Sequence, residues 1–232
     1  MIISVTTATA KALYAPTAEV SVGCMDNLQM RLFCEQNSIS AIVDASHPYA
    51  VAVSSQAIAV ATKLRLPYLR YERQNYQEAN DLANAQRQEL PSIEHLVAGD
   101  YLNNHRALLT LGCKALAQFQ PWQERATLFA RVLPKIASLE TAISAGFTSD
   151  RLIAIRPPIS LATEMALWQQ WKISLVVTKA SGKAGGENIK QQAARELGIP
   201  LIVITRPQIT YPQVTHQLCD VVTFVRQAIA ID

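Results

Sequence analysis

The feature that most constrains the fold is an alternation of short apolar, β-branched segments with longer amphipathic ones along the 232-residue chain. This alternation is typical of a parallel β-sheet with crossover helices on both faces. It predicts an α/β fold of the doubly wound, Rossmann-like type. The predicted strands are 2–6, 40–45, 66–71, 107–112, 127–133, 152–156, 173–178 and 201–205, and the predicted helices are 26–37, 49–64, 114–119, 137–145, 161–171, 187–197 and 218–230.

A polar segment between residues 73 and 92 interrupts this alternation. Its sequence, RQNYQEANDLANAQRQELPS, has neither the two-residue period of a strand nor the period of a helix. We interpret it as a domain junction, and we expect two doubly wound parallel-sheet domains, 1–90 and 91–232, with a cleft between them.

The composition argues against several classes of protein. The formal net charge of +3 is too small to indicate nucleic acid binding, and no apolar run approaches the roughly 18 residues of a membrane span. The four cysteines and four histidines are dispersed without metal-ligand spacing, so we expect reduced thiols, no metal site and a cytoplasmic location. The amino terminus lacks the pattern of a secretory signal. We expect a monomer or a weak homo-oligomer.

The stretch DASHPYA, residues 44–50, collects polar side chains where a predicted strand ends and a helix begins. Pro48 suits the first position of that helix because its φ angle is fixed and it has no amide hydrogen, which puts His47 at the cap. Open α/β sheets bind ligands at the carboxyl ends of their strands. Position alone leaves two interpretations open, a ligand-binding turn and a turn whose polar residues satisfy only the local backbone.

Four predicted strands end at or near arginines, and in three of them a proline follows closely. Side chains at the carboxyl ends of parallel strands project toward one crevice, where guanidinium groups bind carboxylates or phosphates through paired hydrogen bonds. A single arginine at a strand end is more often a solvated charge, but four strands that end this way favour a polyanionic ligand. The arginines are Arg70, Arg73, Arg131, Arg156 and Arg206.

The stretch TKASGKAGGE, residues 178–187, places three glycines and two lysines between a predicted strand and a predicted helix. Glycines at such a turn let backbone N–H groups approach an anion, and the helix dipole adds to the attraction. The stretch is not a Walker A loop, because Ala184 stands where Ser or Thr is needed. Anion or cofactor binding and a flexible connector both remain open. A shorter stretch, LLTLGCKAL, ends another strand at Gly112, and we interpret it as a turn.

Together these stretches resemble the precorrin-6A reductases and cobalt-precorrin-6A reductases of cobalamin biosynthesis. The resemblance spans nearly the whole chain and is carried by DASHPYA, LPYLRYER, LTLGCKAL, ARVLP and TKASGKAGGENIKQQAARELGIPLIVITRP, in that order. It implies a two-domain α/β oxidoreductase that transfers hydride from a nicotinamide cofactor to a C=C bond of an acidic tetrapyrrole. NADPH is the expected cofactor, and NADH remains possible.

The resemblance also implies where the ligands bind. The residues implied for the macrocycle are Asp44, Ser46, Arg70, Tyr71 and Arg73, and the strand-end pattern adds Arg131 and Arg206. The residues implied for the cofactor are Thr6, Thr7, Lys11, Thr178, Ser181, Gly182, Lys183, Gly185, Gly186 and Glu187.

The chain departs from the family pattern at its amino terminus. The family opens with a strand and a GGT-type glycine loop before the segment that matches residues 1–7, so we expect this chain to start at the second strand, which leaves its activity open. No acidic residue follows the strand IISVTT to accept a ribose 2′-OH, and Lys11 lies nearby, which favours NADPH.

Hydride transfer builds up negative charge on the macrocycle, so a nearby cation or proton donor lowers the barrier. The candidate catalytic residues are His47, Tyr49 and Lys179. His47 is preferred because its unperturbed pKa lies nearest neutrality, although a purely structural role in capping the helix remains open.

Two other functions remain open. A cofactor-free tetrapyrrole cyclase of the uroporphyrinogen-III synthase type also has two doubly wound domains and needs cations for side-chain carboxylates, but it requires no dinucleotide and hence no glycine-rich loop. The second alternative is an inactive, truncated relative that only binds an acidic ligand.

Overall fold

The computed structural model describes residues 1–74 and 87–230. The strands are β1 (Ile2–Val5), β2 (Glu19–Val22), β3 (Ile42–Asp44), β4 (Tyr68–Tyr71), β5 (Arg87–Leu90), β6 (Arg106–Leu109), β7 (Thr127–Val132), β8 (Leu152–Ala154), β9 (Leu175–Lys179), β10 (Leu201–Ile204) and β11 (Val214–Thr215). The α-helices are α1 (Ala8–Lys11), α2 (Asn27–Gln36), α3 (Val51–Leu64), α4 (Ile93–Ala98), α5 (Ile136–Ser144), α6 (Leu161–Gln170), α7 (Glu187–Leu197) and α8 (Leu218–Ile229). 3₁₀ helices cover Cys113–Trp122, Ser149–Arg151 and Lys183–Gly185.

The chain forms two compact units, Met1–Glu72 with Ile209–Asp232, and Arg73–Gln208. The predicted division at 90/91 differs from this one for two reasons. Strand β5, whose residues fall within the predicted first domain, pairs with β10 of the second unit. The chain also returns after Gln208, and β11 pairs with β4 of the first unit.

The first unit contains two parallel sheets, β1-β2 and β11-β4-β3. Helix α3 buries Ala57, Val60 and Ala61, which share one face because they are three or four residues apart. Ala57 and Ala61 pack with Tyr68 of β4. This packing fixes α3 beside the strands whose carboxyl ends carry Asp44 and Tyr71.

The second unit contains a six-stranded parallel sheet in the order β5-β10-β9-β6-β7-β8. Strand β10 is apolar and buried throughout, and β9 is apolar and buried from Leu175 to Val177, as expected for a sheet covered on both faces. The strand order reverses direction between β6 and β9, where Thr110 N donates a hydrogen bond to Val177 O. Ligands of open α/β sheets bind outside the carboxyl ends of strands at such a switch point.

The parallel pairing confirms the predicted α/β class, and each of the predicted strands overlaps an observed one. The predicted helix at 114–119 is a 3₁₀ helix instead, and Pro121 interrupts its backbone hydrogen bonding. Five short strands and α-helices of the described residues were not predicted, since each has six residues or fewer and too little periodicity: β2, β5, β11, α1 and α4. Among the described residues, no helix has both the length and the apolar character needed to cross a bilayer.

Candidate active site

The loop after β3 carries the DASHPYA stretch. The prediction that Pro48 opens the next helix with His47 at its cap is wrong, because α3 begins at Val51 and Ala50 occupies the cap position. A turn intervenes instead, in which Ala50 N donates to His47 O at 2.7 Å. His47 therefore lies on an exposed turn rather than at the end of a helix.

The carboxylate of Asp44 holds this loop in place through hydrogen bonds. Oδ1 accepts hydrogen bonds from Ser46 N and Arg70 Nη1, both at 2.9 Å. Oδ2 accepts hydrogen bonds from the hydroxyls of Ser54 at 2.6 Å and Tyr68 at 2.8 Å. We call these five residues, Asp44, Ser46, Ser54, Tyr68 and Arg70, the Asp44 network. Because Asp44 is only 6% exposed, these four bonds replace the water that its charge would otherwise bind.

Arg70 is wholly buried within the same unit. Its Nε donates to Glu72 Oε2 at 2.8 Å, and Nη1 donates to Ser46 Oγ at 3.0 Å as well as to Asp44. Its guanidinium carbon lies 5.3 Å from the centre of the Tyr211 ring. Nη2 is buried and has no hydrogen-bond partner among the described residues. The charge predicted to bind a substrate carboxylate is thus already balanced by two carboxylates of the protein.

The network also fixes the protonation states of its members. Burial alone would raise the pKa of Asp44, but the hydrogen bonds from Ser46, Ser54 and Tyr68 hold the pKa below its usual value. Burial raises the pKa of the Tyr68 phenol, and its hydrogen bond to the Asp44 charge raises it further. Asp44 therefore stays ionised and Tyr68 stays protonated at neutral pH.

His47 and Tyr49 form a pair on the exposed turn. Tyr49 N donates to His47 Nδ1 at 3.3 Å, and the ring centres are 5.7 Å apart. An Nδ1 that accepts a hydrogen bond assigns the proton of the neutral imidazole to Nε2. The neutral His47 ring therefore carries its proton on Nε2, on a loop that the Asp44 network bonds through Ser46 N.

The residues predicted to hold the cofactor after β1 are all exposed. Thr7 caps α1, and its hydroxyl accepts a hydrogen bond from Ala10 N at 3.3 Å. Thr6 and Lys11 lie at the carboxyl end of β1 and in α1, respectively. Tyr71, predicted to contact the macrocycle, is the last residue of β4 and is half-buried.

The glycine-rich loop, residues 181–187, follows β9 in the second unit. Gly182 and Gly186 both have φ angles of +70°, which favour glycine. Gly185 is required for a different reason, since an added Cβ would lie 2.0 Å from Ser181 Oγ. The loop is therefore a closely packed turn, and its glycines serve its own geometry.

The polar groups of this loop are largely bonded to one another. Gly182 N donates to the Glu187 carboxylate at 2.8 Å, while Gly185 N donates to Gly182 O and Gly186 N to Lys183 O. The Lys190 ammonium donates to the carbonyls of Gly185 at 3.0 Å and Gly186 at 3.1 Å. Glu187 and Lys190 are 2% and 4% exposed, so the backbone of the loop is bonded to a buried carboxylate and a buried amino group of the protein itself.

The pKa shifts in this loop follow from burial. Burial raises the pKa of Glu187 above its usual value, although the Gly182 N–H and the charge of Arg87 oppose the rise. Burial lowers the pKa of Lys190 to about 8, and the nearby charge of Arg131 lowers it as well. Burial also lowers the pKa of Lys179, at the end of β9. A lowered pKa makes a lysine a better proton donor near neutral pH.

The remaining arginines predicted for the macrocycle also make contacts within the second unit. Arg131 Nη1 lies 2.6 Å from both carboxylate oxygens of Glu164, which also accepts Trp168 Nε1 at 3.1 Å. Arg206 Nε donates to Ala180 O at 2.8 Å, and its Nη1 donates to Arg73 O. Arg131 thus braces α6 against β7, and Arg206 braces the segment after β9. Thr178 and Ser181 are buried, whereas Lys183 and Arg156 are exposed.

Sequence reasoning did not identify several residues that organise these sites. Ser54 and Tyr68 lie among apolar neighbours, and a polar residue on an apolar face was the available signal. Gly112, interpreted as a simple turn, follows β6 at the switch point and has a φ angle of +81°. Among the described residues no cluster of His, Cys, Asp and Glu is arranged to hold a metal ion.

The comparisons with known proteins decide the family. A family model described as precorrin-6x reductase CbiJ/CobK matches residues 1–226. The chain belongs to this family. A relative named cobalt-precorrin-6A reductase from Synechocystis sp. is 42% identical over 97% of this chain and 87% of its own length. Another of that name from Priestia megaterium is 33% identical over 88% and 80%, respectively.

A solved structure titled CobK precorrin-6A reductase has the same fold. It superposes with a TM-score of 0.76 at 22% sequence identity and covers 91% of this chain and 83% of its own. Membership of the CbiJ/CobK family makes the chain an oxidoreductase by descent.

Proposed function

We propose that this chain reduces precorrin-6A, in its cobalt-bearing form, with NADPH. The family match over residues 1–226 carries the proposal. Both relatives reported above are named for the cobalt-bearing compound, which favours that substrate. The proposed location is the cytoplasm, since the four cysteines form no disulfide.

The chain offers residues that suit a nicotinamide dinucleotide, which would supply the hydride. The exposed Thr6 hydroxyl and the Lys11 ammonium, near the end of β1, have the chemistry to bind the sugar and phosphate groups of NADPH. In the glycine-rich loop, the Gly182 N–H is already accepted by Glu187. We therefore expect the cofactor phosphates to be attracted by the charges of Lys179, which precedes the loop, and Lys183, which lies in it, rather than bound by backbone amides.

We assign the proton-donating role to His47. Its Nε2 carries the proton in the neutral ring because Nδ1 accepts the Tyr49 N–H. The Asp44 carboxylate accepts Ser46 N, which fixes the backbone one residue before His47. Tyr49 and Lys179 are the alternative donors, and the lowered pKa of Lys179 suits that role.

The activity test incubates the full chain anaerobically with each macrocycle and each reduced nicotinamide cofactor. We expect NADPH oxidation to match formation of the dihydro macrocycle, faster with cobalt-precorrin-6A than with precorrin-6A and slower with NADH. Lys11→Glu should narrow the gap between NADPH and NADH by raising the KM for NADPH. Absence of reduction with both macrocycles would remove the proposal.

The donor assignment is tested by His47→Ala in single turnover. Loss of a general acid lowers such rates by about 10²–10⁴-fold. His95→Ala removes an exposed histidine of the second unit and serves as the matched control, with an unchanged rate expected. If His47→Ala reacts as fast as the unmodified chain, His47 is not the donor, and the same assay on Tyr49→Phe and Lys179→Met decides between the alternatives.

A further inference from the structure

A cavity of about 340 Å³ opens at the amino edge of the second unit's sheet. Arg106 and Thr127, the first residues of β6 and β7, line it, as does Arg151 just before β8. Because the strands are parallel, their amino ends share one edge and the glycine-rich loop follows the carboxyl end of β9 at the opposite edge. Within the second unit, the cavity is therefore separate from the glycine-rich loop.

The lining of this cavity is rich in cations that are held in place. Arg106 Nε donates to Trp171 O at 2.9 Å, and its guanidinium carbon lies 5.0 Å from the centre of the Phe129 ring. Arg125 lies over the Trp122 ring at 4.1 Å. A guanidinium stacked on an aromatic face keeps its N–H edge available for a planar anion, and its fixed position lowers the entropy lost on binding.

The carboxylates near the arginines of this lining are all exposed to solvent. Glu124 is the only acidic residue among the residues that line the cavity, against Arg106, Arg125 and Arg151. Asp100 lies 3.5 Å from Arg125 and Asp150 lies 3.9 Å from Arg151. Both of these carboxylates are more than 70% exposed, so their pairing with the arginines is weak and easily replaced by a ligand.

We propose that this cavity binds a small polyanion carrying phosphate or carboxylate groups. Its volume lies at the lower end of the range for small-molecule sites. Three arginines around one opening match a ligand with two or three anionic groups, each held by paired N–H donors. His105, whose Nδ1 lies 3.0 Å from Ser174 Oγ, adds a further polar group to the lining. The inference does not depend on the proposed reductase activity.

The test measures binding of two probes, inorganic pyrophosphate and citrate, to the full chain by calorimetry. The cavity variant is Arg125→Gln/Arg151→Gln, chosen because both side chains are at least one-third exposed and can be replaced without opening the core. Lys135→Gln/Lys114→Gln removes the same charge after β7 and β6, away from the amino edge, and is the matched control. Thermal unfolding verifies that all three proteins are folded.

We expect saturable binding of at least one probe by the unmodified chain. The cavity variant should weaken it at least about tenfold, and the control should change it less than about twofold, where tenfold corresponds to ~1.4 kcal/mol. The probe that binds more tightly shows whether the cavity prefers phosphate or carboxylate groups. If the cavity variant binds as well as the unmodified chain, or if neither probe binds saturably, the inference is overturned.

Discussion

The Asp44 network and the glycine-rich loop each surround a buried carboxylate, but they do so with different groups. Each follows a parallel strand and leads into a helix, α3 or α7, and each contains a buried carboxylate. In the Asp44 network, side chains from β4 and α3 and the amide of Ser46 surround the carboxylate, and none of the five residues has a positive φ angle. In the glycine-rich loop, the backbone itself supplies the contacts, and this requires glycines.

The two carboxylates respond to burial in opposite directions. Asp44 accepts hydrogen bonds from two hydroxyls, one amide and one guanidinium, and its pKa is lowered. Glu187 receives the Gly182 amide and Gln191 Nε2, while Arg87 lies 3.9 Å away, and its pKa is raised. The comparison teaches that the number and charge of the donors, rather than burial alone, determine whether a buried carboxylate stays ionised.

The largest effect is expected from Asp44→Asn. The amide keeps the shape but leaves the buried Arg70 with Glu72 alone, and breaking a buried ion pair costs about 3–5 kcal/mol. Equilibrium urea unfolding at pH 7 measures the loss. Asp100→Asn, at an exposed position, should change stability by less than about 0.5 kcal/mol.

The pH dependence sharpens this prediction. The folded pKa of Asp44 lies below its unfolded value, so its contribution is present above about pH 4 and is lost as the pH falls through the folded pKa. The difference between the unmodified chain and Asp44→Asn should therefore shrink in acid. A difference that stays constant down to pH 2 would show that Asp44 acts through shape rather than charge.

This comparison also explains what the sequence could predict. Strand ends, the glycine-rich stretch and the arginine positions follow from local patterns of polarity and spacing. The partners of the arginines do not: Arg70 meets Asp44 because β3 and β4 pair in register, and Arg131 meets Glu164 across 33 residues. Local patterns therefore locate the charged residues, but they cannot show which of these residues form ion pairs within the fold.

The next effect is expected from Lys190→Met, through its pH dependence. Lys190 has a pKa of about 8 in the folded chain against 10.5 ordinarily, so the unfolded chain binds more protons between these values. The unmodified chain should gain about 3 kcal/mol of stability as the pH rises across this interval. Lys190→Met should lack this gain, whereas Lys135→Met should keep it. Parallel pH profiles for the unmodified chain and Lys190→Met would contradict the role assigned to Lys190.

A smaller effect is expected from Gly185→Ala. The added methyl group would lie 2.0 Å from Ser181 Oγ, so the turn must shift, at a cost of about 2 kcal/mol. Ser181→Gly removes the clashing atoms, and the double variant Ser181→Gly/Gly185→Ala should be more stable than Gly185→Ala alone. Chemical unfolding of the three proteins measures this coupling. Additive losses would mean that the loop is looser than its contacts indicate.

The smallest effect is expected from Glu187→Gln. The same replacement of a carboxylate by an amide is expected to cost most at Asp44. The raised pKa of Glu187 means that the folded chain favours its uncharged form. Its contribution to the free energy of unfolding is therefore present below the unfolded pKa and is lost as the pH rises through the folded pKa. At pH 7 the amide keeps an oxygen for Gly182 N and removes an unfavourably buried charge, and we expect a change within about 1 kcal/mol. Urea unfolding at pH 4 and pH 7 should show the variant gaining on the unmodified chain as the pH rises. If Glu187→Gln is as costly at pH 7 as Asp44→Asn, the two loops hold their carboxylates in the same way and the contrast between them fails.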